Sequence, residues 1–349
     1  MDRKFKLHKK CFIIAEISAN HGQNFNRAVS LIREAKKCKV DAVKFQAYTP
    51  DILTIDAGNK YFQIRHSGWA GQTLYKLYSK AYTPWSWFKK LKRIADNEGI
   101  LFFSTAFDRT SVDFLETLKV PVHKIASFEL VDLPLVEYAA KTKKPLIMST
   151  GMASLSEIKD AVGVAKKYGS GDVILLKCVS DYPADPETMN LRAIPYLSKL
   201  VNLPVGLSDH TLGMAAAIAA VAQGARLIEK HFTLSRTIKT PDSFFSLEPQ
   251  ELRLMVENIR IAESALGTDD FILSRKEKQN KIFRRSLFAV RDIKKGEKFT
   301  CENVRSIRPA YGLAPKYLND VVGRKAACDV KRALPIRLKY ISKREGSSI

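Results

Sequence analysis

His210 closes the apolar run LPVGLSD and His231 closes ARLIEK, so if the two runs lie side by side both rings can reach one ion. Neutral imidazole suits a borderline divalent metal. Two protein ligands, with no thiolate expected nearby, leave positions for water and a substrate carbonyl, which describes a Lewis-acid site and not a closed structural zinc site. A single histidine is more often a hydrogen-bonded core residue than a ligand; the pair carries the reading. Lys44 and Lys124 add cations, and Thr105, Ser127, Ser149 and Ser208 add hydroxyls. Such a set surrounds an anion that combines a phosphate with a carboxylate. The residue types therefore point to metal-assisted chemistry between a small phosphorylated acid and a carbonyl compound. The sequence has no nucleophile elbow, P-loop or GxGxxG fingerprint, so serine hydrolases, nucleotide kinases and dinucleotide oxidoreductases lack their signals.

Something must hold these groups in one place. Eight short β-branched or aromatic runs recur over the first 270 residues, at 12–18, 41–48, 100–107, 121–130, 144–150, 172–180, 203–210 and 225–233. Amphipathic stretches separate them, among them NRAVSLIREAKKC, PWSWFKKLKRIADNEG, LSEIKDAVGVAKKYG, MAAAIAAVAQGA and the closing EPQELRLMVENIRIAESALG. Runs apolar almost throughout, joined by helical crossovers, are what parallel strands buried on both faces require. Eight such units over about 250 residues are the count of a (β/α)8 TIM barrel, whose active site lies at the carboxyl ends of the strands. Chemistry-bearing residues stand at all eight ends. In order they are Glu16 with Asn20 and His21; Lys44 and Gln46; Ser104 and Thr105; Lys124, Ser127 and Glu129; Ser149 and Thr150; Lys177, followed by Ser180, Asp181 and Tyr182; Ser208, Asp209 and His210; and Glu229, Lys230 and His231. Any one has a bland reading, as a snorkelling lysine or a helix-capping serine. The joint pattern argues for function.

Residues 49–83, between the second run and its helix, form a long insertion rich in Tyr, Gly and Trp, which reads as a binding loop or lid. After Gly267 the pattern changes. The charged stretch SRKEKQNKIFRR reads as a linker, and short strands alternating with turn signals follow it. The 349 residues thus divide into a barrel over 1–270, a linker over 271–285 and a small β-rich domain over 286–349. The net charge of +22 is uneven, with 21 Lys+Arg against 7 Asp+Glu after residue 270. A basic tail can bind phosphate backbones by counterion release, so nucleic-acid binding is the alternative from another functional class, although no nucleic-acid motif accompanies it. Apolar content of 46% with ordinary Gly, Pro and Cys excludes collagen-like, disulfide-scaffold and disordered chains. Five scattered cysteines without a CxxC pair read as reduced thiols. The apolar run from Cys11 to Ala15 is too short for a signal peptide, and no run reaches the roughly 20 apolar residues of a membrane span. The expectation is a cytoplasmic protein with no membrane partner.

The motifs AEISANH (15–21), DAVKFQAYTPD (41–51), KIASFE (124–129), STGM (149–152), LKCVSDYP (176–183), GLSDHT (206–211), IEKHFT (228–233), FRRSL (283–287) and IRPAYG (307–312) follow in an order that resembles the sialic acid synthase family of phosphoenolpyruvate-condensing enzymes. The segments GWAGQTLYKLYSKAYTPW, PDSFFSLEP and YGLAPKYL are most similar to its pseudaminic acid branch. The resemblance implies a TIM barrel followed by an antifreeze-like (SAF) domain on the basic tail. It also implies condensation of phosphoenolpyruvate with an acetamido sugar in its open aldehyde form, releasing phosphate and giving a nine-carbon 2-keto sugar acid. In the pseudaminic branch the sugar is 2,4-diacetamido-2,4,6-trideoxy-altrose; synthesis of N-acetylneuraminate or legionaminate is the alternative within the family.

Carried over by this resemblance, His210 and His231 hold a divalent ion, manganese first, with magnesium or cobalt as alternatives. Lys44, Thr105, Lys124, Ser127, Ser149 and Ser208 hold phosphoenolpyruvate, and Gln46, Glu129, Tyr182 and Asp242 line the sugar side. Glu16 lines the sugar and water side with them. The resemblance does not assign the group that handles the proton of the water adding to carbon 2; Glu16 is our candidate, which makes Glu16, Lys124, His210 and His231 the candidate catalytic set. The resemblance further implies a homodimer in which the small domain covers the partner's barrel, with Arg308 contacting the sugar in trans. The chain departs from the common family pattern at His21-Gly22-Gln23 (HNG), Ser104-Thr105-Ala106-Phe107 (STPF or SSPF) and Thr240-Pro241-Asp242 (GPD). Loss of the last glycine removes a permissive backbone position, so the loop around Asp242 is expected to sit differently.

Overall fold

The computed structural model describes residues 5–65, 68–169, 172–268 and 270–342. Two compact units meet at the Gly267–Thr268 junction. In the first, β1 (Phe12–Glu16), β2 (Ala42–Ala47), β3 (Leu101–Ala106), β4 (His123–Ile125), β5 (Leu146–Ser149), β6 (Val173–Cys178), β7 (Val205–Asp209) and β8 (Leu227–His231) pair in sequence order. All the pairings are parallel, and β8 returns to β1 to close the barrel. Each strand lies inside one of the eight expected runs, and the (β/α)8 architecture is the expected one.

The strands read as continuous apolar runs because both faces are covered: every residue of β1, β3, β7 and β8 is buried. Alternation then sorts the side chains. Phe45 stacks 5.3 Å from Phe102 in the core, while its neighbours Lys44 and Gln46 line the mouth of the barrel. Helix Phe25–Lys37 shows how the outer layer forms. Asn24 caps it by accepting a hydrogen bond from the Arg27 amide at 2.9 Å, and Ala28, Leu31, Ile32 and Ala35, three and four apart, form its buried stripe. Helix Leu155–Tyr168 opens on a reciprocal cap between Ser154 and Glu157, and Trp85–Glu98 ends at Gly99 in the left-handed region at φ 71°.

The described residues of the 49–83 insertion are built, not loose. Short helices Pro50–Leu53 and Leu74–Ala81 lie in it, and Phe62–Ile64 pairs antiparallel with Gln72–Leu74.

The second unit has its own core of Leu287, Ile293, Phe299, Val304, Val330 and Ile336. Its strands β9 (Ser286–Ala289) and β10 (Val304–Ile307) are antiparallel, and isolated bridges such as Ile293 with Val330 extend the pairing. Gly312 lets this core close, since a Cβ there would lie 2.3 Å from the Leu287 carbonyl oxygen. Within the charged stretch 274–285, Arg275–Asn280 forms a short helix because Ser274 and Glu277 make a capping box. All five cysteines are free thiols. No helix among the described residues is long and apolar enough to cross a membrane.

Candidate active site

Strand register brings the polar ends to one level. Glu16 is opposite Lys44 on one side and His231 on the other; Thr105 is opposite Gln46 and Lys124; Ser208 is opposite Cys178 and Glu229. The cavity at these carboxyl ends is lined by Glu16, Lys44, Gln46, Thr105, Lys124, Ser127, Ser149, Tyr182, Ser208, His210 and His231, together with Cys178, Glu229, Ala126 and Phe128. Every residue implied for the site is therefore on the cavity wall except Glu129, Asp242 and Arg308. Asp242 is close by: its Oδ2 accepts from the Ala19 amide at 3.2 Å and stands 3.8 Å from His231 Nδ1. Glu129 is half-buried after β4, and burial, opposed by Lys124, pushes its carboxyl up to about 7. Arg308 is exposed just after β10, in the second unit.

On one side of the cavity the groups are charged and mutually bonded. Lys44 Nζ lies 2.6 Å from Glu16 Oε2 and 3.6 Å from Glu229 Oε1, and donates to Thr105 Oγ1 at 2.9 Å. Lys124 Nζ donates to Ser149 Oγ at 2.6 Å and to the Ile125 carbonyl at 2.8 Å. Ser127 Oγ accepts from the Gly151 amide at 3.1 Å, and the motif needs its glycine because a Cβ at 151 would lie 2.2 Å from Ser180 Oγ. Burial pushes the Lys124 ammonium down to about 8, with Glu229 opposing the shift. At Lys44 the same burial is outweighed by Glu16 and Glu229, which hold it charged. Burial, opposed by Lys44 and reinforced by Glu229, lifts Glu16 above the usual carboxyl range. Glu229 itself stays ionised because Lys44, Lys124 and His210 outweigh its burial. Glu229 stands two residues before His231 and so on the same face of β8, and that period of two is the sequence signal that finds it.

On the other side the groups are rings. His210 Nδ1 donates to the Val179 carbonyl at 2.8 Å, which makes Nε2 the lone-pair nitrogen of the neutral ring. The His231 ring lies 5.4 Å away, centroid to centroid, and its buried Nδ1 has no hydrogen-bond partner. Burial, and then the neighbouring His210, holds His231 well below the ordinary imidazole range. Two imidazoles with available lone pairs fit a divalent ion whose coordination is completed by water and substrate.

Two expectations need correction. A thiol does stand beside the histidines: Cys178 Sγ is 3.9 Å from His210 Nδ1 and faces the cavity. The register is the reason, since Cys178 is opposite Ser208 and His210 is two residues further along the same face. Nor do all polar strand ends face inward. Asp209 and Lys230 are partners on β7 and β8 and form a buried ion pair at 2.8 Å, away from the cavity wall. His21 is likewise structural, with Nε2 bonded to Thr83 Oγ1 at 2.9 Å and its ring pushed down to about 4 by burial and by Arg27.

Thr240, where the family pattern has glycine, keeps an ordinary negative φ and uses its side chain. Its hydroxyl donates to Asn20 Oδ1 at 2.7 Å, while Asn20 Nδ2 donates to the Phe232 carbonyl at 2.9 Å and Ser246 Oγ at 2.8 Å. The loop that carries Asp242 is thus tied to the turn after β1.

Comparison with known proteins gives the same frame. The NeuB family model matches residues 31–270 and the SAF domain model matches residues 284–341. A pseudaminic acid synthase of Campylobacter jejuni subsp. jejuni is 46% identical over 94% of this chain and 95% of its own length. The pseudaminic acid synthase of Helicobacter pylori is 40% identical over 93% and 96%. The crystal structure of N-acetylneuraminic acid (sialic acid) synthetase from Leptospira borgpetersenii serovar Hardjo-bovis in complex with citrate aligns with TM-score 0.70 and 36% identity, covering 78% of this chain and 90% of that one. With the family model across most of the barrel and relatives aligned over nearly its whole length, the chain belongs to the NeuB family.

Proposed function

We propose that this chain condenses phosphoenolpyruvate with 2,4-diacetamido-2,4,6-trideoxy-β-L-altropyranose and water, giving pseudaminic acid and phosphate. The observation that carries the reaction class is the meeting, in one cavity, of a two-lysine anion site and a pair of buried imidazoles. The names of the Campylobacter and Helicobacter relatives select the sugar.

Lys44 and Lys124, with the hydroxyls of Thr105, Ser127, Ser149 and Ser208, bind the phosphate and carboxylate of phosphoenolpyruvate. Both lysines exchange internal partners for the incoming anion, so their charge is already in place when it arrives. His210 and His231 would hold a divalent ion, manganese first with magnesium or cobalt as alternatives, which supplies Lewis-acid polarisation of the sugar aldehyde. Carbon 3 of phosphoenolpyruvate forms the new bond to the aldehyde carbon, whose oxygen takes up a proton, and carbon 2 is left cationic. Water adds to carbon 2, and the tetrahedral intermediate loses phosphate by C–O cleavage to leave the 2-keto acid. Glu16, lifted above the usual carboxyl range and oriented by Gln46 Nε2 at 3.0 Å from its Oε1, takes the proton of that water. Glu229 keeps Lys44 protonated beside it. Gln46, Glu129, Tyr182 and Asp242 line the sugar side.

The same reading takes residues 286–349, behind a linker at 271–285, as a unit that covers the partner's barrel in a homodimer and brings Arg308 to the sugar. Exposed Phe128, Met152, Leu212 and Phe244, on the loops after β4, β5, β7 and β8, support a covered mouth, because they leave large apolar side chains to water on that rim.

Mixed with phosphoenolpyruvate, manganese and the altrose sugar, the purified protein should release phosphate and yield a nine-carbon acid identified by mass and NMR. Release only with mannose- or gulose-configured acetamido sugars would replace the sugar; no release with any of them would overturn the reaction.

A further inference from the structure

The insertion after β2 has no part in the chemistry above, yet one of its residues reaches the site. The Trp69 indole lies 5.3 Å from the Tyr182 ring and 6.4 Å from Phe244, and its Nε1 donates to the Pro241 carbonyl at 2.8 Å. Tyr182 lines the cavity with its ring 4.3 Å from His210. Pro241 precedes Asp242, whose carboxylate stands 3.8 Å from His231. A single side chain thus joins the insertion, the loop after β6 and the loop after β8. The approach is close enough to fix the preceding residue as well, since a Cβ on Gly68 would lie 2.9 Å from Phe244 Cζ.

The two sides of the cavity also differ in polarity. Charges and hydroxyls gather around Lys44 and Lys124, whereas rings gather around the histidines, with Phe245 4.7 Å from His231 and 5.4 Å from Tyr182. A sugar rich in hydroxyls finds few partners among such rings. A deoxy sugar with a terminal methyl and acetamido methyls buries apolar surface there.

We infer that Trp69 is a positioning residue that sets sugar selectivity. It holds the Tyr182 ring against His210 and the Pro241–Asp242 segment beside His231, and so builds an apolar wall for the deoxy, N-acetylated end of the sugar. The inference rests on the proposed reaction and adds to it the residue that favours this class of sugar.

The test compares wild type, Trp69→Phe, which keeps a ring and loses the Nε1 donor, and Trp69→Ala. KM and kcat are measured for each substrate with manganese, and N-acetylmannosamine, which bears a hydroxyl at carbon 6, is measured as a competitive inhibitor. Thermal melting checks folding, and Trp69→Phe decides alone if Trp69→Ala does not fold. The KM for the altrose sugar should rise roughly three- to tenfold, more in Trp69→Ala than in Trp69→Phe, the worth of an aromatic contact. The KM for phosphoenolpyruvate and the inhibition constant of N-acetylmannosamine should not move. An unchanged sugar KM, or equal rises in both substrates' KM or in the inhibition constant, would overturn the inference while leaving the reaction standing. A wild type that does not turn over the altrose sugar overturns the functional reading and this inference together.

Discussion

On the β2–β5 side of the mouth, Lys44 and Lys124 are each held by a hydroxyl within 2.9 Å, and Lys44 also by two carboxylates. On the β6–β8 side, His231 keeps a buried nitrogen without a hydrogen bond, with the rings of His210, Tyr182 and Phe245 around it and the Asp242 carboxylate 3.8 Å away. The difference matches two kinds of ligand. An incoming anion can take the place of the hydroxyls that Lys44 and Lys124 hold, so the two cations have partners before and after binding. A buried orphan nitrogen costs on the order of 1–3 kcal/mol, and a ligand that accepts its lone pair recovers that cost. One side is thus built for exchange and the other for capture.

The largest effect should separate the two sides outright. His231→Ala removes one of two metal-ligand candidates, and phosphate release should fall by at least about a thousandfold, the several kcal/mol that Lewis-acid assistance supplies. Equilibrium binding of phosphoenolpyruvate, followed by calorimetry, should survive. If it is lost as well, the two sides are one coupled site and the comparison fails.

Lys124→Ala attacks the other side. Losing a charge-assisted hydrogen bond of roughly 1.5–3 kcal/mol should raise the KM for phosphoenolpyruvate about ten- to a hundredfold, with the sugar KM unmoved. Steady-state kinetics with each substrate varied in turn reads both.

A pH titration sharpens the same contrast. Burial, opposed by Glu229, places the Lys124 ammonium at about 8, below its usual 10.5. The charge is complete below that pH and is lost as pH rises through it, so kcat/KM for phosphoenolpyruvate should fall roughly tenfold per unit above about 8. Stability should move the other way. Between about 8 and 10.5 the unfolded chain holds the proton that the folded chain has released, so this lysine's contribution makes folding more favourable as pH rises across that window. Lost activity without a lower melting temperature at pH 9 is the expected outcome; parallel loss would trace the effect to unfolding.

How much of this was legible in the sequence depended on which side was read. The eight strands and the lysine side were, because parallel strands buried on both faces leave continuous apolar runs in which Lys44 or Lys124 stands out. Period-two alternation would also have sorted Ser208 and His210 from Asp209, and Glu229 and His231 from Lys230, since only alternate residues face the cavity. Cys178 beside His210 was not legible, because it depends on the register of β6 against β7. Trp69 could be seen only as part of an aromatic-rich insertion; its contacts with Tyr182 and Pro241 join segments more than a hundred residues apart, and no local pattern encodes such a pairing.

The smallest effect expected lies at Thr240, where this chain departs from its family. The departure was expected to displace the Asp242 loop through lost backbone freedom, yet the observed conformation needs none, and the threonine adds a bond to Asn20 at 2.7 Å. Restoring the common residue with Thr240→Gly removes that bond, worth about 1 kcal/mol, and returns flexibility to a loop on the capture side. Asn20 would keep its bonds to Phe232 and Ser246, so the loop should loosen without detaching. The sugar KM should rise by no more than about fivefold, with the KM for phosphoenolpyruvate unchanged. A shift in the phosphoenolpyruvate KM of the same size would mean that the Asp242 loop serves both sides of the mouth, and that the division between exchange and capture is drawn in the wrong place.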